Sequence, residues 1–146
     1  MITVELQIEI KAPPEVVFDL LADHTKHPLW DPHMIEAKLF TEGPIKKGSK
    51  GITVGELKGR RRIENEIVYD EYDRPKFVSG GTTSGSVIGK MTNEFIPTEK
   101  GTKVNFRLEV KIKGLMRLLE PFIKRTLIKK EKTRLEALND YITKNR

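Results

Sequence analysis

There is no cysteine in this chain of 146 residues. That excludes a disulfide framework, a thiolate metal site and a cysteine nucleophile. A reducing cytoplasm suits such a chain, and a cytoplasmic location is expected. Tryptophan occurs once, as Trp30, and histidine three times. No uncharged run approaches the ~20 residues of a membrane span. The opening Met1-Ile-Thr-Val-Glu5 has neither a basic n-region nor an apolar h-region, so no signal peptide is expected. No internal repeat, linker or low-complexity tract interrupts the chain.

Several catalytic and binding signatures are missing too. No Gly-x-Ser-x-Gly elbow is present, which argues against an α/β-hydrolase triad. Gly80-Gly81-Thr82-Thr83-Ser84-Gly85 is glycine-rich, but no Gly-Lys-Ser/Thr follows and its context is strand, so it is not a phosphate loop. Zinc-finger spacing, a helix-turn-helix and an aromatic RNA-binding motif are all lacking, and no nucleic-acid partner is expected. His24, His27 and His33 lie close together with Asp23 and Asp31 between them. Their spacing matches no standard zinc pattern, so they read as polar residues at helix ends and no metal is expected. Nothing singles out one histidine as a general base, and no catalytic residue is assigned.

What remains is a soluble globular balance of 37% hydrophobic and 33% charged residues. Its length suits one domain over 1–146. Net charge is +6 and unevenly placed: residues 115–146 carry 9 Lys/Arg against 4 Asp/Glu, whereas residues 1–114 are nearly balanced. The bland reading of a basic final helix is a solvated face.

Val4, Leu6, Ile8 and Ile10 alternate with polar residues, which predicts a half-buried strand. Ala12-Pro13-Pro14-Glu15 ends it and starts a helix, with proline where its missing N–H costs nothing. Val16, Val17, Leu20 and Leu21 give that helix its stripe to about Asp23. Thr25 to Pro32 predicts a second short helix or turn. Strands follow over 34–40, 51–57, 60–69, 77–83, 86–96 and 104–112. Lys58-Gly59 is a tight turn between two of them. Arg60-Arg61-Arg62 beside it reads as a solvated strand end. Glycines 80, 81, 85 and 89 mark bends.

The stretch Leu115–Arg146 is the one segment long and periodic enough for a dominant helix, roughly 45 Å if continuous. Leu115, Leu118, Leu119 and Phe122 cluster on one side of it. Leu127, Ile128, Leu135, Leu138 and Ile142 cluster on nearly the opposite side. One straight helix cannot turn both groups to one sheet. Pro121 lies between them, so either the helix kinks there or it starts there with proline in its first turn. The group from Leu115 to Ile123 reads either as core packing or as one of three surfaces: a cavity mouth, a dimer contact, or a face that touches membrane transiently.

Three polar residues interrupt apolar faces. Asn65 sits among Ile63, Ile67 and Tyr69, and Asn93 among Val87, Gly89, Met91 and Phe95. Glu131 falls in the Leu127–Leu138 stripe. Either Glu131 pairs with Lys124 or Arg134, or it is a cavity carboxylate that holds a polar ligand head or moves a proton.

Ala12-Pro13-Pro14-Glu15-Val16-Val17-Phe18, then Leu21-x-Asp23 and Pro28-Leu29-Trp30-Asp31-Pro32, resembles the opening of the START-related superfamily of polyketide cyclases/dehydrases and lipid-transport proteins (SRPBCC), which includes the birch-pollen allergen fold. Gly48 and Gly51, Glu66-Ile67, Pro97-x-x-x-Gly101-Thr102 and a proline such as Pro121 in the last helix extend the resemblance over the whole chain. It implies an α+β helix-grip fold: a curved seven-stranded antiparallel sheet around a long C-terminal helix, with two short helices after the first strand. It also implies a cavity between sheet and helix for a lipid, polyketide, quinone or similar molecule, with no universal catalytic residues. The expected partner is a hydrophobic small molecule, bound without a cofactor by a monomer or homodimer. The expected lining is Trp30, Asn65, Phe77, Met91, Asn93, Phe95, Phe106, Phe122, Ile123, Leu127 and Glu131. The alternatives are a cyclase/dehydrase-type enzyme using a cavity acid/base, and a protein-interaction module.

Overall fold

The computed structural model describes residues 1–57, 61–84 and 87–145. The turn expected at Lys58-Gly59, and Gly85, lie outside them. Strands β1 (Ile2–Ile10), β2 (Met34–Leu39), β3 (Lys50–Leu57), β4 (Arg61–Asp73), β5 (Phe77–Ser84), β6 (Val87–Pro97) and β7 (Thr102–Ile112) form one antiparallel sheet in the order β1-β7-β6-β5-β4-β3-β2. Between β1 and β2 the chain forms α1 (Pro14–Leu21), a 3-10 turn over His24–Lys26 and the short α2 (His27–Trp30). A second 3-10 turn, Gly114–Leu119, precedes α3 (Glu120–Lys144). This is the helix-grip architecture that the family resemblance implied, built on strands that the alternation of apolar residues predicts.

Alternation fixes which side faces in. β1 and β7 pair without interruption from Ile2↔Val110 to Ile10↔Thr102. Every second residue of β7 from Thr102 to Ile112 is buried. Register carries this inward face across the sheet. Leu108 pairs with Met91, Phe106 with Asn93, Met91 with Gly80 and Asn93 with Val78. It continues through Thr82↔Ile67 to Asn65↔Thr53.

β4 runs four residues beyond its expected end. The register shifts between Tyr69 and Glu71. One extra residue there resets the alternation, so Tyr69 and Tyr72 pack together, ring centres 5.7 Å apart. Tyr72 then meets Phe18 of α1 edge-on at 5.0 Å, and Phe18 meets Phe95 at 5.0 Å. Edge-to-face rings of this kind seal α1 onto the sheet.

The proline question resolves in favour of a restart. Pro121 lies in the first turn of α3, where no hydrogen bond is lost. α3 therefore spans 25 residues, about 37 Å at 1.5 Å per residue. Its buried positions are Glu131, Arg134, Leu135, Leu138 and Ile142, from the middle of the helix onward. That part packs on β1, α1 and α2. Ile123, Leu127 and Ile128 in the first half are only partly buried against the core. The helix is thus anchored at one end and stands more open at the other.

Candidate functional site

The anchor is a buried ion network. Asp31 follows α2, and its backbone N–H donates to His27 O at 2.8 Å. Arg134 Nε donates to Asp31 Oδ2 at 2.8 Å and Nη1 donates to Glu131 Oε2 at 2.6 Å. All three residues are no more than 5% exposed. The guanidinium also lies 5.3 Å from the centre of the Trp30 ring. Burial by itself lowers the pKa of Arg134, but the two carboxylates outweigh it and hold the group firmly cationic. The network joins α3 to the α2–β2 junction and so sets where the helix lies over the sheet.

Two histidines are pinned nearby. His27 Nε2 is 2.7 Å from Leu21 O, and its ring meets Trp30 edge-on at 5.0 Å. Burial, reinforced by the Arg134 charge, drops its pKa to about 3, so the ring is neutral and donates from Nε2. His24 Nε2 is 2.7 Å from Lys38 O, and its Nδ1 is 2.8 Å from the Tyr69 hydroxyl. That hydroxyl also accepts from the His24 backbone N–H at 3.0 Å and lies 2.8 Å from Ala22 O. Burial lowers the His24 pKa and raises that of Tyr69. A neutral His24 donates to Lys38 O, and the Tyr69 hydroxyl then serves either Nδ1 or Ala22 O. Gly51 makes room for this ring. A Cβ there would stand 2.6 Å from His24 Nε2 and 2.2 Å from Lys38 O. His24 thus ties the α1–β2 connection to β2 through Lys38 O, and His27 ties it back to α1 through Leu21 O. His33 is exposed. Among the described residues no group of three or more His, Asp or Glu converges to hold a metal ion.

The inward face between β4, β5 and β6 has a different character. Asn93 is 4% exposed. Its Oδ1 and the Oγ1 of Thr82 are enclosed and meet no hydrogen-bonding partner among the described residues. Both lie on the inward face by register, flanking the Gly80–Met91 pair. The Thr82 methyl is 3.5 Å from where a Cβ on Gly89 would stand, so this side chain leans over the glycine. Gly80 and Gly89 place bare backbone where side chains would otherwise fill the sheet's inner surface. Ile67 and Met91 on this face, and Ile123, Leu127 and Ile128 on the open half of α3, are only partly buried. The site is therefore an apolar surface with two polar atoms that the protein leaves unsatisfied.

The expected lining divides accordingly. Asn65, Met91, Asn93 and Phe106 share the inward face, and Ile123 and Leu127 are partly buried on the open half of α3. Phe106 is 2% exposed and is core beneath that surface. Phe95 faces inward too, but the Phe18 ring closes over it. The structure places four other residues of the expected lining away from this face or in other roles. Trp30 is buried, with Nε1–H donating to Leu20 O at 2.9 Å and Arg134 over its ring, so it plugs the helix–sheet junction. Glu131 is not a free cavity acid: of its two proposed partners it takes Arg134, one helical turn away. Phe77 pairs with Glu94, one residue out of phase with Val78↔Asn93, and so lies off the inward face. It lines a separate hollow of about 370 Å³ with Pro14, Glu15 and Phe95. Phe122 is 67% exposed because α3 begins only at Glu120 and turns this residue away from the core.

Sequence reasoning missed Thr82, Asp31 and Tyr69 as site residues; it offered the Glu131–Arg134 pair but not Arg134's second acid. Arg134 did leave a signal, since it adjoins Leu135 on the apolar stripe three residues from Glu131. Thr82 left none, because its glycine-rich surroundings mask the alternation.

Comparison with known proteins agrees with the architecture. A family model described as polyketide cyclase/dehydrase and lipid transport matches residues 1–143. A protein of unknown function from Staphylococcus aureus has a similar structure, with a TM-score of 0.81 at 15% identity, covering 99% of this chain and 94% of that one. A START superfamily protein from Mycobacterium smegmatis gives a TM-score of 0.76 at 14% identity over 96% of this chain and 98% of that one. The protein Ara h 8.0201 gives 0.79 at 15% identity over 97% of each chain. At these identities the likeness establishes the fold alone. No curated protein matches the sequence.

Proposed function

Because the chain belongs to the polyketide cyclase/dehydrase and lipid-transport family, we propose that it binds a hydrophobic small molecule carrying a hydrogen-bond donor, between the β4–β6 surface and the open half of α3. The observation that carries this reading is the pair of enclosed, unpartnered oxygens of Thr82 and Asn93 beside partly buried apolar side chains. An enclosed acceptor without a donor costs about 1–3 kcal/mol. A ligand hydroxyl or amide N–H laid along Gly80 and Met91 offsets that cost, while apolar contact with Ile67, Ile123 and Leu127 supplies affinity. A lipid, a polyketide or a quinone in its hydroxyl-bearing reduced form has this chemistry.

Binding is favoured over proton transfer by the state of the interior acids. Asp31 and Glu131 each spend an oxygen on Arg134. A carboxylate committed to a buried guanidinium is not free to face a substrate proton.

Native mass spectrometry of freshly purified protein, followed by organic extraction, tests the proposal. One retained hydrophobic molecule per chain is expected, either as purified or after incubation with a lipid extract. Protein that stays empty in both conditions contradicts it.

A further inference from the structure

The segment between β7 and α3 lies outside the β4–β6 surface described above. Leu115 is 85% exposed, Leu118 78% and Phe122 67%. Gly114 turns the chain there with φ +73°, a left-handed conformation that other residues resist. No residue of the 3-10 turn Gly114–Leu119 is buried. Three large apolar side chains on one short projection are rarely left in water without a partner.

Their neighbours indicate what that partner is. Lys111, Lys113 and Arg117 line a hollow of about 350 Å³ at the base of the projection. Lys124 and Arg125 are exposed on the first turns of α3. The one acid between residues 111 and 125 is Glu120, and the Met1 amine lies 3.2 Å from its Oε1. The surface is thus an apolar tip ringed by cations. A second copy of the chain fits poorly, because a two-fold interface would set like charge against like charge. A polyanion without an apolar phase leaves the leucines and Phe122 exposed.

We infer that Leu115–Phe122 docks on an anionic lipid bilayer, with Leu115, Leu118 and Phe122 at the level of the acyl-chain boundary and Lys111, Lys113 and Arg117 on headgroup phosphates. Interfacial binding combines these two contributions, buried apolar area and attraction to anionic lipid. The docking does not depend on what the groove carries. It places the open half of α3, with Ile123 and Leu127, next to the bilayer.

The test is flotation of the full chain with vesicles of phosphatidylcholine alone or mixed with phosphatidylglycerol. Binding to the mixed vesicles is expected, weakened by salt, with little binding to phosphatidylcholine. The triple change Lys111→Glu, Lys113→Glu, Arg117→Glu weakens it by at least about tenfold. Leu115→Ser, Leu118→Ser, Phe122→Ser together also abolish flotation, and neither variant changes the melting temperature, since these side chains are exposed. Lys46→Glu, Lys47→Glu, Lys100→Glu makes the same change of net charge in the β2–β3 and β6–β7 connections, at the opposite end of the strands. This control keeps binding. Equal loss in the control, equal binding to both vesicle types, or absence of flotation overturns the inference. So does a dimer in sedimentation equilibrium that the serine variant dissociates.

Discussion

Arg134→Met is expected to destabilise the protein by about 3–5 kcal/mol, a large part of the stability of a domain this size. The change removes the one cation from a site holding two carboxylates. The side chains of Arg134, Asp31 and Glu131 are 6%, 2% and 6% exposed. Without the guanidinium, two acids are left buried and uncompensated, and one of them must take a proton or the helix must lift. Loss of contact with the Trp30 ring adds to the cost. Lysine does not replace this arginine, because a single ammonium cannot bridge two acids as a planar fork does. Removing all the charge should undo most of the damage. Asp31→Asn, Glu131→Gln, Arg134→Met keeps an amide oxygen for the His33 N–H that Asp31 Oδ1 now receives at 3.0 Å. The triple variant is expected to recover most of the loss. Urea unfolding reads both results as shifts of the midpoint at constant slope. A loss below about 1 kcal/mol for the single change would mean that water screens the network as it does a surface pair.

Asn93→Leu is expected to move stability and binding in opposite directions. Asn93 lies between Phe106 and Val78 in register, on an apolar face. Its Oδ1 has no donor among the described residues. Leucine has similar bulk and removes the unsatisfied atom, so the variant gains about 1–3 kcal/mol of stability. The same change removes one of the two acceptors that orient a ligand, so affinity falls by about tenfold or more, the value of one hydrogen bond to a site that excludes water. A gain in stability with a loss of binding is what a functional polar residue produces. A purely structural amide behaves otherwise: its loss destabilises and leaves binding unchanged. Denaturation and a ligand titration on the same samples separate the two.

The fold was legible because its strands alternate. β1 and β7 display the pattern that places their inner residues against α3, and the proline at 121 announced that one continuous helix could not account for all the apolar residues of the last segment. Which half would be buried was readable only in part: Leu127 to Ile142 form a stripe, but the separate cluster from Leu115 to Phe122 read equally well as core, and the structure exposes it. The site was legible in part. Asn93 and Asn65 stood out by breaking apolar faces. Phe77 misled, because at the start of a strand a shift of one residue moves a side chain to the other face. Glu131 was half legible: pairing with Arg134 was one of its readings and is what the structure shows, but only three-dimensional structure brings Asp31, 103 residues earlier in the chain, to share that arginine. Thr82 was hidden by glycines that erase alternation, and the inward position of Tyr72 follows from a bulge that no local pattern marks.

The central claim is that a hydrophobic molecule lies between the β4–β6 surface and the open half of α3. Methyl NMR of isoleucine-, leucine- and methionine-labelled protein during titration with the molecule recovered by extraction tests it most directly. The account predicts saturable shifts at Met91, Ile67, Ile123 and Leu127, with Leu115 and Leu118 unmoved in the absence of vesicles. Shifts confined to Leu115 and Leu118, with Met91 and Ile67 unchanged, would contradict it.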